Sequence, residues 1–170
     1  MTLNPARLAE ILGTPPPGVV PVPWDKAPSE VGFQFPADYR ELINTYGQFS
    51  LNGVFYVGGP DTEPSSLPGV PTGFEDFVRL TTSNALFEDL AEQRAVRGCT
   101  GVPYPFFPIP GGLLQWGVGE DVYCFWLTEG PDPDAWAVVV MLDEAMGGGT
   151  VSRVAGASRR AARGAGRPSV

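Results

Sequence analysis

The chain has 170 residues, 43% of them apolar and 18% charged, which suits one domain with its own core and excludes a disordered polymer. Histidine is absent and cysteine occurs only at Cys99 and Cys124, so Ser-His-Asp and Cys-His catalysis and histidine-based metal sites are excluded. The formal charge of −8 is unevenly spread: residues 1–150 hold all 19 acidic residues against six basic ones, a balance of −13, while residues 151–170 hold five arginines and no acid. An acidic body disfavours nucleic acid and anionic lipid as direct partners and suits a basic protein.

In chain order, Leu3 to Gly13 reads as a first helix. Asn4 is a good N-cap, Pro5 fits the first helical position, and Leu8, Ile11 and Leu12 form an apolar stripe. Thr14 to Pro23, with Pro15-Pro16-Pro17-Gly18, is an extended connector. Trp24 follows. Phe35 to Gly47 is then a short helix with both ends marked. Pro36 suits the first turn, Asp38 complements the positive end of the helix dipole, and Gly47 follows the last periodic residue. Tyr39, Leu42, Ile43 and Tyr46 share one face. A helix this short is marginal alone in water, so it is expected to exist docked on a sheet.

Ser50 to Val57 reads as one strand. Gly58 to Gly73 is a proline-rich loop carrying Asp61 and Glu63. Phe74 to Leu80 is open between a helical turn and a strand, and Ser83 to Val96 reads as a helix ended by Gly98. Val102 to Pro110 is an irregular apolar crossing. Three strands follow at Leu113–Trp116, Val122–Leu127 and Trp136–Leu142, joined by turns at Gly117–Asp121 and Glu129–Ala135. Short loops between β-rich runs imply an antiparallel meander, with the helix ending at Tyr46 lying on one face. The expected fold is therefore α+β: one domain over residues 1–146, with a mostly antiparallel central sheet packed against short helices. Residues 147–170, rich in Gly, Ala, Ser and Arg, offer little to bury and are expected to form a disordered tail.

No motif of catalysis survives inspection. Cys99 and Cys124 form no CxxC pair, and no Gly-x-Ser-x-Gly elbow is present. Gly147-Gly148-Gly149 lacks the lysine of a phosphate-binding loop. The carboxylate pairs Glu120/Asp121 and Asp132/Asp134 fall in predicted turns, where water solvates them. The expectation is a protein that is not an enzyme and uses no metal and no cofactor. The N-terminus lacks signal-peptide order and no apolar run reaches membrane-span length, so a cytoplasmic location and free, buried thiols are expected.

Several motifs occur in an order that resembles the SMI1/KNR4 family, the core of the SUKH superfamily. They are Trp24, Glu30-Val31-Gly32, Phe35-Pro36-Ala37-Asp38-Tyr39, Tyr46-Gly47, the strand ending in Trp116-Gly117, Tyr123-Cys124-Phe125-Trp126, and Asp132-Pro133-Asp134-Ala135-Trp136. The likeness runs from about residue 24 to about residue 144. The chain departs from the family pattern at Phe35, where leucine is usual, and at its end, where a closing Phe-x-x-Phe-Leu helix gives way to the arginine-rich tail. The resemblance implies structural roles for Trp24, Pro36, Tyr39, Gly47, Trp116, Gly117, Trp126 and Trp136. It also implies a binding module, and many bacterial members look like immunity proteins of polymorphic toxin systems. On that reading Asp61, Glu63, Glu120, Asp121, Asp132 and Asp134 are the candidate contacts to a basic toxin domain, such as a nuclease. The alternative is a regulatory or scaffold interaction protein without a toxin partner.

Overall fold

A computed structural model describes residues 5–61, 73–82, 104–120, 122–142 and 151–154. The first helix, α1, spans Pro5–Leu12. The proline-rich connector then leads to a 3-10 turn at Trp24–Lys26 and a short helix α2 at Ala27–Val31. Helix α3, Ala37–Tyr46, follows as the sequence predicts. It ends at Gly47, whose φ of 70° and ψ of −160° suit only glycine, and whose N–H donates to the Ile43 carbonyl at 2.8 Å.

The predicted strand Ser50–Val57 is instead a hairpin of β1, Phe49–Leu51, and β2, Phe55–Val57. Asn52 (φ 52°) and Gly53 (φ 71°) are the central residues of the turn in the three-residue connection Asn52–Val54, closed by the Val54 N–H donating to the Leu51 carbonyl at 3.0 Å. Two consecutive positive φ values match the right-handed twist of the flanking strands, and Asn-Gly is the pair that adopts them most cheaply. The turn chemistry outweighs the continuous run of β-formers. The segment left open at Phe74–Leu80 is helical: α4 spans Gly73–Thr82 and buries Phe74, Phe77 and Val78, at i, i+3 and i+4.

Strands β3 (Leu113–Gly119), β4 (Val122–Leu127) and β5 (Ala137–Leu142) complete an antiparallel meander in the order β1-β2-β3-β4-β5. β3 runs three residues beyond the predicted end at Trp116, because it pairs on its other side with β2. A sixth short strand, β6 at Val151–Val154, pairs with the outer edge of β5. Sheet pairing thus reaches past residue 146, the expected domain boundary, into the expected tail. Val151 and Val154 are β-formers, and an edge strand offers unpaired backbone groups to any such segment. The predicted helix Ser83–Val96, Cys99, the glycine run 147–149 and the chain after Val154 lie outside the described residues.

Alternation along the strands sends side chains to two buried faces. On one face, Leu114, Trp126 and partly buried Val138 pack beneath the helices, against Phe35, Tyr39, Ile43, Phe74 and Phe77. The Tyr39 ring meets Trp126 edge-on, with centroids 4.7 Å apart, so α3 lies across the sheet as expected. Its Tyr39, Ile43 and Tyr46 are buried, and burial of such side chains contributes about 1.5–3 kcal/mol each. On the other face, Leu113, Tyr123, Phe125, Leu127, Val139 and Met141 form a second core, with Tyr104 and Phe106 packed on it.

Candidate functional site

The expected structural positions of the motif residues follow from this layering. Trp24, Pro36, Tyr39, Trp126 and Trp136 are buried, and Trp116 is half-buried. Asn44 on α3 anchors the connector: its Oδ1 accepts both the Val22 N–H at 3.1 Å and the Trp24 indole N–H at 3.0 Å. The Trp136 indole N–H donates to the Gly130 carbonyl at 3.1 Å. The Tyr39 hydroxyl donates to the Gly58 carbonyl at 2.5 Å, fixing α3 to the end of β2. Burial, reinforced by Tyr56, pushes the Tyr39 phenol well above its ordinary pKa.

Trp116-Gly117 has a physical reason that spacing does not show. The β3–β4 register steps from Gln115↔Phe125 to Gly117↔Cys124, so Trp116 is the extra residue of a β-bulge. A Cβ on Gly117 would lie 2.7 Å from the Phe55 ring, so glycine lets β2 and β3 pair closely without displacing that ring. Trp116 stacks on Trp126 at 5.9 Å, and its indole N–H is buried with no acceptor among the described residues.

The predicted acidic contacts separate into two groups. Asp132 and Asp134 sit in the β4–β5 loop beside the N-terminus of α3. Asp132 Oδ1 accepts the Asp134 N–H at 3.1 Å, and Asp134 Oδ1 accepts the Ala37 N–H at 2.6 Å. Both residues are exposed, yet each has a structural task. Glu120 is exposed at the opposite end of β4, beyond the end of β3. The six residues of β4 hold the two ends about 20 Å apart. Glu63 and Asp121 lie outside the described residues.

At the Glu120 end, the pairing Tyr56↔Val118 brings together segments far apart in sequence. Between α4 and the β2–β3 pair lies a groove of about 300 Å³, walled by Tyr56, Phe77, Leu80, Thr81, Trp116 and the Gly58-Gly59 backbone. A shallow depression of about 420 Å³ continues over Val54, Tyr56, Val118 and Glu120. Tyr56 is shared by both. Its hydroxyl donates to Gln48 Oε1, and partial burial, followed by the nearby Asp61 charge, raises its pKa. Large apolar surface is exposed here: Val54 by 61%, Tyr56 by 44% and Leu80 by 46%. Isolated exposed apolar residues are ordinary, but a contiguous patch marks a contact surface. Sequence reasoning misses Tyr56 because it lies inside the apolar run Val54–Val57, and Leu80 because its segment is open between a helical turn and a strand.

Among the described residues, no His, Cys, Asp and Glu side chains gather in a group of three able to hold a metal ion. No described helix is long and apolar enough to cross a membrane. Cys124 is a free, buried thiol whose pKa burial pushes up to about 11, which is the environment of an inert rather than a nucleophilic cysteine. Comparison of the chain with protein-family models, curated proteins and solved structures returns no match.

Proposed function

We propose that this chain is a non-catalytic protein-binding module of the immunity type, which neutralises a cognate toxin by direct binding in the cytoplasm. One observation carries the reading. The β2–β3 pairing sets exposed Tyr56 beside Val118, in a hollow that Glu120 also lines and within reach of the Asp61 charge, and Tyr56 shares a groove with exposed Leu80, on a body whose first 150 residues carry −13. An apolar centre with an acidic rim is the anatomy of a contact surface for a basic protein. Nuclease toxins fit this partner class, because they must hold phosphates on basic surface. The resemblance of the motif order to that of the SMI1/KNR4 family favours the same reading.

The test is co-expression with any toxin found encoded beside this gene. Protection of the host cell is expected, together with association that slows as salt rises, because the attraction is screened over about 8–10 Å at 0.10–0.15 M salt. Glu120→Lys is expected to slow association at low salt with little effect on stability. Absence of protection, with a non-toxin protein recovered as partner, would move the assignment to the scaffold class.

A further inference from the structure

The groove beside Tyr56 has a composition that selects a particular kind of occupant. Its walls are aromatic and aliphatic, through Phe77, Leu80 and Trp116. At Tyr56 and Val118 the groove shares its lining with the depression that Glu120 also lines, which forms its acidic rim, and the charge of Asp61 reaches the Tyr56 phenol. Among the described residues, no lysine or arginine lines either hollow. A wholly apolar side chain would use the walls and ignore the rim. A small anion would be repelled by the rim. A long side chain with methylenes along its stem and a cation at its tip uses both. Arginine fits better than lysine, because its flat guanidinium also stacks on aromatic faces and its fork of donors matches a carboxylate.

We infer that this groove is the receptor for an arginine side chain presented by the partner protein, with the stem against Leu80 and Trp116 and the guanidinium at Tyr56 and Glu120. This deepens the binding-module reading and rests on it by supplying the anchor contact. The contact is aromatic in composition and built around an arginine, features that concentrate binding energy in protein interfaces.

The probe is a capped Gly-Arg-Gly peptide, titrated into the full-length chain at low salt and followed by backbone amide chemical shifts. An otherwise identical peptide with citrulline, which keeps the shape and removes the charge, is the control. Saturable shifts are expected at Gly58, Gly59, Thr81 and Gly117, and weaker binding by citrulline. Glu120→Gln is expected to weaken arginine binding by about two- to fivefold, the effect of one exposed charge pair. Leu80→Ser, at a position 46% exposed and so outside the core, is expected to weaken both peptides. Equal binding of the two peptides, or shifts scattered over other faces, would overturn the inference. Toxin protection is read separately: a protective protein whose groove ignores arginine keeps the function and loses this contact.

Discussion

Asp134 Oδ1 accepts the backbone N–H of Ala37 at 2.6 Å across 97 positions of sequence. The residue before the helix, Pro36, has no side chain able to cap it, and within α3 Asp38 Oδ1 takes only the Tyr39 N–H, at 2.8 Å, leaving the Ala37 N–H without an acceptor in the helix. The β4–β5 loop supplies the missing acceptor, so one hydrogen bond both satisfies an exposed helix donor and ties α3 to the sheet. Asp134→Ala is expected to lower stability by about 0.5–2 kcal/mol, the usual cost of losing an N-cap. Asp134→Asn should lose much less. Denaturant unfolding of the three proteins checks this, and equal loss in both variants would mean that charge, not capping, is the source.

Asn44 accepts from two donors at once, the Val22 amide and the Trp24 indole. Asn44→Ala leaves both without a partner, at an expected cost of about 1–3 kcal/mol. Asn44→Asp keeps an acceptor in place and should retain most of the stability. Denaturant unfolding measures the cost, and tryptophan emission is expected to shift to the red in the alanine variant as Trp24 loosens.

Gly112 is the most closely approached of the described glycines. A Cβ there would lie 2.5 Å from the Phe106 carbonyl carbon and from the Phe107 nitrogen. These are backbone atoms of the apolar crossing that pairs with the start of β3, so neither side yields cheaply. Gly112→Ala is expected to cost at least the 1–3 kcal/mol or so of an overpacked core. Gly117→Ala meets the end of the Phe55 ring instead, which can rotate away, and should cost less. The order of the two unfolding midpoints tests the argument.

Alkaline pH should weaken the fold. Cys124 is raised from 9.0 to about 11 by burial, and Tyr39 is raised well above its ordinary value. In each case the folded protein holds a proton that the unfolded chain releases. Their contribution is therefore fully present below pH 9, and it is lost as pH rises toward 11 for the thiol and beyond for the phenol. Unfolding free energy measured at pH 8, 10 and 11 should fall, and Cys124→Ala should flatten part of that fall. A profile that is level for the native chain would refute the burial argument.

Local pattern alone specified the ends of α3, from Pro36 to Gly47, the strand at Val122–Leu127 and, to within one residue at its start, the strand at Ala137–Leu142, expected from Trp136, because helix caps and β-rich runs between breakers act within a few residues. It also fixed the acidic body that narrows the class of partner. The Asn52-Gly53 turn was equally local, and its signal was present in the two residues themselves, outvoted by the β-formers around them. The glycine at 117, the tie from Asp134 to Ala37 and the groove that joins Tyr56 to Leu80 are of another kind. Each exists only because strands or helices distant in sequence come within a few ångströms, and no window of sequence contains both partners. Sheet register, set by the whole hydrophobic pattern at once, decides which side chains meet, and so which acid becomes a helix cap and which stands at the rim of a groove.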